Sequence, residues 1–107
     1  MAMRILTGLG LFGDEEFLQF YCDRMSEMKE PFVTSVFTAS SHGLFVLPER
    51  YKGKFPVGED PFSELIGYSD YAIGRFFEKA EKQPWFKNTL FVITADHTSG
   101  NYYPDYV

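Results

Sequence analysis

The chain has 107 residues, enough for one small domain or a piece of a larger one. It is 45% hydrophobic and 19% aromatic, with twelve Phe and seven Tyr, and carries a formal net charge of -5. The apolar content supplies a core, and the acidic balance disfavours nucleic acid as a partner because it repels phosphate backbones. Basic residues are scattered, apart from Arg50, Lys52 and Lys54, which fit a solvated loop better than an anion patch. Cys22 is the single cysteine, so no intrachain disulfide forms. Its place in a helical pattern suits a small buried hydrophobe. No run approaches the roughly 20 apolar residues of a membrane span, and no charged-then-apolar signal peptide stands at the start. Twelve Phe are many for so small a volume: either the core is densely aromatic or some rings expect a neighbour.

In chain order, residues 4–13 are punctuated by glycine and predict a loop or short extended entry. Asp14 predicts a helix N-cap, with Glu15 and Glu16 in the first turn, where the helix dipole favours acids. Phe17, Leu18, Tyr21, Met25 and Met28 recur at helical spacing, which extends the helix over about 14–29, and Pro31 stops it at or before Glu30. Phe32 to Thr38 is β-branched and aromatic and predicts a strand. The polar turn Ser40-Ser41-His42-Gly43 follows. Residues 44–60 hold Pro48, Pro56 and Gly58 and predict a long surface loop.

Asp60-Pro61 predicts a second helix start, giving a helix over about 61–82. Phe62, Leu65, Ile66, Ser69, Ala72, Ile73, Phe76, Phe77 and Ala80 keep three-and-four spacing, the strongest periodic signal in the chain. Gly67 and Gly74 interrupt it, which close approach to a sheet would explain. Thr89 to Ala95 is a continuous apolar run that suits a strand buried on both faces. Strand, helix, strand predicts a βαβ core with strands 32–38 and 89–95 parallel. Both polar clusters, Ser40-Ser41-His42 and Asp96-His97-Thr98-Ser99, would then lie along one sheet edge, where open α/β sheets bind ligands.

Asp96-His97 is the sharpest chemical feature. A carboxylate oxygen and an imidazole nitrogen, brought together where a strand ends, are ordinary ligands for zinc- or manganese-type ions. The same pair also fits a turn-capping Asp beside a surface His. His42 could orient an anionic group, since imidazole both donates and accepts near neutral pH, or could simply be a turn residue. Ser40 and Ser41 suit turn formation better than nucleophilic attack. The same holds for Thr98 and Ser99, because an activated hydroxyl needs a base held by a third group. Gly-rich phosphate loops and paired cysteines do not occur.

Five blocks carry a family resemblance: Phe12-Gly-Asp-Glu-Glu-Phe, Phe37-Thr-Ala-Ser-Ser-His-Gly-Leu-Phe, Tyr51-Lys-Gly, Tyr68-Ser-Asp-Tyr-Ala-Ile-Gly-Arg-Phe-Phe, and Asn88-Thr-Leu-Phe-Val-Ile-Thr-Ala-Asp-His-Thr-Ser. Their order and spacing resemble the sulfatase-like domain. They are most similar to the lipoteichoic acid synthase and phosphoglycerol transferase branch of the alkaline phosphatase superfamily. The resemblance runs from about Leu11 to Tyr106.

It implies that the chain is a single partial domain over 1–107: the C-terminal part of an alkaline-phosphatase-like α/β sandwich with a parallel sheet. Asp96 and His97 match residues that bind a divalent metal, typically manganese, and His42 matches a substrate-binding His. The family's upstream acidic ligand and its Thr or Ser nucleophile match no stretch of this chain, and the Asp-His block is followed in the family by further strands. The resemblance therefore implies a fragment, inactive alone, of an enzyme acting on sulfate or phosphate esters. The parent is expected to be membrane-anchored with an extracytoplasmic catalytic domain, and the fragment to be soluble and prone to self-association. Gly43-Leu44 departs from a His-Pro pattern of some members, which leaves substrate preference open. A non-catalytic α/β interaction or ligand-binding module is the alternative.

Overall fold

The first helix begins without the cap that its sequence predicts. The structure, a computed structural model, describes residues 2–7 (backbone alone), 13–42, 46–59 and 62–97. Helix α1 spans Asp14–Ser26, shorter at its C-terminal end than expected, and its N-cap is Gly13, which has no side chain to offer. Asp14 is thus the first helical residue, and its carboxylate turns elsewhere. Leu18, Tyr21, Cys22 and Met25 line the buried face of α1, a three-and-four spacing that gives a helix one apolar stripe. Burial of Cys22 fits its expected role as a small hydrophobe.

Strand β1 covers Ala2–Thr7 and strand β2 Phe32–Phe37. They pair in parallel, in register from Ala2 opposite Phe32 to Thr7 opposite Phe37. The Gly-punctuated entry takes its extended alternative at its start, as β1. One expectation is corrected: the βαβ unit is β1–α1–β2. Residues 89–95 are assigned to no strand and do not pair with β2. The prediction failed because an apolar, β-branched run becomes a strand only where a neighbour supplies ladder hydrogen bonds, and among the described residues the sheet is two-stranded. The fold is mixed α/β. Along β2, Phe32, Thr34 and Val36 are half-buried while Val33, Ser35 and Phe37 are exposed, the period-2 alternation of a strand covered on one face.

Helix α2 spans Ser63–Ala80, with Phe62 as N-cap; the expected start at Asp60-Pro61 lies outside the described residues. Its buried row is Tyr68, Ala72, Phe76 and Ala80. The two alanines let α2 approach α1 closely, and Tyr21 stacks on Phe76 at 5.7 Å between ring centroids. Ile66, expected in the core, is 56% exposed. Gly67 does not face a sheet: a Cβ there would press on Phe55, and one at Gly74 would meet nothing within 4 Å.

Residues 46–59 are more than a solvated loop. A 3-10 turn at Glu49–Tyr51 buries Tyr51, which with Leu47 and Tyr68 forms a second small core flanked by Phe55, Leu65 and Tyr71. The first core joins α1, α2 and Trp85, with Phe32, Val36 and Phe91 packed against it. Trp85 stands edge-on to Phe32 and donates its indole N–H to Ser26 Oγ at 3.1 Å. Dense aromatic packing therefore absorbs many of the rings. Apart from Phe91, the chain from Leu90 to His97 has little cover: Leu90, Val92 and Ile93 are 88%, 78% and 67% exposed. A cavity of about 930 Å3 separates residues 88–94 from β2.

Candidate functional site

The turn that follows β2 is built on a buried carboxylate. Asp14 is 1% exposed. Its Oδ1 accepts the backbone N–H groups of Ala39 (3.1 Å) and Ser40 (3.2 Å), and its Oδ2 accepts the Ser69 hydroxyl of α2 at 3.0 Å. In return, the Asp14 N–H donates to Ser40 Oγ at 2.8 Å. A helix leaves its first N–H groups without intrahelical partners. Here two distant side chains take them, Ser40 for Asp14 and Tyr68 Oη for the Glu15 N–H at 3.2 Å. Ser40 thus sits in the turn, where its sequence context put it, and in addition takes the first N–H of α1. The turn closes with the His42 N–H donating to Ala39 O at 3.0 Å, and Ser41 and His42 lie exposed at its outer side.

Gly13 makes this junction possible. A Cβ there would lie against the Tyr68 hydroxyl, well inside contact distance. Burial, reinforced by the neighbouring Glu16, Glu15 and Asp14 charges, pushes the Tyr68 phenol up to about 12, against the hydrogen bond from the Glu15 backbone. Tyr51 is likewise pushed up to about 12, by burial first and then by its hydrogen bond to Glu15. The Glu15 carboxylate also meets Arg50 and Arg75, and Arg50 pairs with Glu16 as well. Lys52 pairs with Glu49, and Lys54 sits over the rings of Tyr51 and Tyr71. Each base of the Arg50–Lys54 stretch is therefore engaged by this chain's own carboxylates or rings.

Asp96 and His97 stand at the end of the uncovered segment. Their side chains are 56% and 78% exposed, with Asp96 Oδ1 3.7 Å from His97 Nε2. Two ligands of a tetrahedral ion, each about 2.1 Å from it, lie about 3.4 Å apart. The pair thus fits one shared divalent ion with a small adjustment. Among the described residues, no group of three or more His, Cys, Asp and Glu side chains could hold a metal ion. Because residues 89–95 do not pair with β2, no sheet edge among the described residues fixes Asp96 and His97 beside His42. Thr98 and Ser99 lie outside the described residues.

Sequence reasoning missed Asp14 and Ser69 as builders of the His42 turn, and Tyr68 as the cap of the Glu15 N–H at the start of α1. The usable signal was the Gly13-Asp14 pair, since a glycine in the N-cap place leaves the Asp free for other partners, and the four-residue spacing of Tyr68 from Ala72.

The described residues form a mixed α/β chain that ends one strand in a braced His-bearing turn and carries an exposed Asp-His pair. The sequence model of the Sulfatase family matches residues 13–106, and the chain belongs to that family. Within it, the chain is similar to the lipoteichoic acid synthase-like protein YvgJ of Bacillus subtilis (strain 168), at 25% identity over 89 residues. The match covers 78% of this chain and 14% of the relative, so the chain spans a small part of that protein's length. No solved structure matches the chain. No helix among the described residues is long and apolar enough to cross a membrane.

Proposed function

We propose that this chain is the C-terminal part of a metal-dependent catalytic domain that transfers or hydrolyses sulfate or phosphate esters. Asp96 and His97 supply two ligands of a divalent metal, preferably manganese, and His42 contacts the anionic group of the substrate. The observation that carries this is the Sulfatase match over 13–106, which spans all three residues. The donor set supports it, since the carboxylate and imidazole lie 3.7 Å apart. When bound, such a metal supplies a Lewis acid for charge on the transferred group. The chain's own residues hold and orient. Asp96 and His97 offer one oxygen and one nitrogen, and His42 offers an imidazole that donates to an anionic oxygen or, when neutral, accepts a proton. The nucleophile and remaining ligands belong to the rest of the domain, and the parent is membrane-anchored with its catalytic domain outside the cytoplasm.

Two ligands leave most of an ion's coordination to water, so binding by this chain alone is weak. Calorimetry with manganese is expected to show weak binding that Asp96→Ala and His97→Ala abolish, and the pure chain is expected to leave aryl phosphate and aryl sulfate esters intact. Metal-dependent turnover lost in Asp96→Ala would place the nucleophile inside this chain and overturn that division of labour. Exposure of Leu90, Val92 and Ile93 beside the cavity along β2 favours a second role, self-association through this uncovered face.

A further inference from the structure

We propose that Asp14 is the positioning residue for His42, holding the turn that presents the imidazole; this rests on the reading of His42 as a substrate contact. The ordering of three elements converges on one carboxylate. Asp14 opens α1, the Ala39 and Ser40 amides belong to the turn after β2, and Ser69 belongs to α2. These partners lie 25 to 55 residues away in sequence, so the contact is a tertiary lock and not a local cap. A carboxylate taken out of water must be matched by donors. Asp14 meets three, two of them backbone N–H groups that point toward Oδ1 from successive residues, the arrangement by which a turn grips an anion. The helix N-terminus beneath it adds favourable charge.

The lock acts in both directions. Ser40 Oγ takes the Asp14 N–H, so Ser40 cannot leave without uncapping α1, and Asp14 cannot leave without freeing the part-buried Ala39 and buried Ser40 amides. Ser40 is itself 2% exposed. His42 lies two residues beyond it, tied back through its own N–H to Ala39 O. The imidazole is exposed and reaches solvent, while the backbone that carries it is anchored at Ala39 and Ser40. A contact residue on a free loop would have to be ordered when the substrate arrives, whereas here Asp14 has ordered it beforehand.

The chain has two histidines, so NMR of the full 107-residue protein resolves His42 against His97 as an internal control. In Asp14→Ala, amide exchange at Ala39 and Ser40 is expected to rise on the order of tenfold or more. The His42 ring signals should move toward those of a free histidine, while His97 and the Trp85 indole stay unchanged. Asp14→Asn keeps an acceptor for both amides and a polar partner for Ser69, and is expected to restore the His42 signals. Ser69→Ala, which leaves both amide contacts in place, is expected to give an intermediate loosening and serves if Asp14→Ala does not fold. Ring signals of His42 unchanged in Asp14→Ala, or in Ser69→Ala if that is the folded variant, would overturn the proposal. Inorganic phosphate added to the wild type separates the two readings. If His42 does not respond to it, the substrate-contact reading falls, and the positioning role is still decided by the ring signals of the variants.

Discussion

Gly13 shows how a missing side chain can be a structural requirement. Its absent Cβ leaves room for the Tyr68 hydroxyl, which receives the Glu15 N–H. Gly13→Ala would force the ring or the helix start to move, and overpacking of this kind costs about 1–3 kcal/mol. A lower urea midpoint with unchanged slope is the expected result, and Tyr68→Phe should reduce the penalty, giving a less than additive double mutant. The same phenol ties stability to pH. Tyr68 has its pKa raised from 10.0 to about 12 in the folded chain. The folded state therefore keeps a proton that the unfolded state releases. Its contribution, on the order of 2 kcal/mol, is complete below about pH 10 and is lost as pH rises towards 12. Alkaline denaturation should begin in that window, and Tyr68→Phe should flatten the loss; an unchanged slope in the variant would deny Tyr68 this role.

Among the elements, those that carry their own period were legible and those that depend on a neighbour were not. The three-and-four rows of α1 and α2 place both helices within a few residues of their true ends, because an amphipathic stripe is written into a single segment. Phe76 and Ile66 mark the limit. Both fit the stripe, yet Phe76 is buried and Ile66 exposed, since the width of the covered face is set by what α1 and the loop bring. Phe76→Ala should cost about 3–5 kcal/mol, and Ile66→Ala should stay within about 0.5 kcal/mol of wild type; equal effects would contradict this division of the helix.

The strands show the opposite case. Phe32–Phe37 was legible from its β-branched run, but its partner was not fixed, because the glycines after Thr7 suit a loop as well as a short extended entry and pairing is a non-local choice. Thr89–Ala95 reads as the better strand, yet among the described residues nothing gives it a ladder. Phe91 holds it, meeting Phe77, Phe86 and Phe76 at 5.0, 5.6 and 6.2 Å between ring centroids. The His42 and Asp96-His97 positions stood out in the sequence as polar residues at the ends of apolar runs. The buried support beneath His42 did not, since an Asp that opens a helix looks like a cap until the fold shows its carboxylate facing Ala39 and Ser40.

At the scale of the whole molecule, two well-packed aromatic cores stand beside an uncovered apolar face along β2 and residues 88–94. Exposed apolar surface generally favours contact with a partner, and strand edges left unpaired among the described residues invite pairing with another chain. Light scattering across a dilution series should therefore show concentration-dependent association, and Val92→Lys, which places a charge on that face, should shift it toward monomer. A strictly monomeric species throughout, with no binding of a hydrophobic dye, would assign the face no partner of its own kind.

The Sulfatase match spans Asp96, His97 and His42, and the proposal that the first two are metal ligands rests on it. Manganese relaxes nearby nuclei, so a titration followed at the two histidine rings tests it most directly. Broadening of the His97 ring signals at low manganese, lost in Asp96→Ala and reversed by a chelator, is the result expected; His97 signals that stay sharp while manganese acts elsewhere on the chain would contradict it.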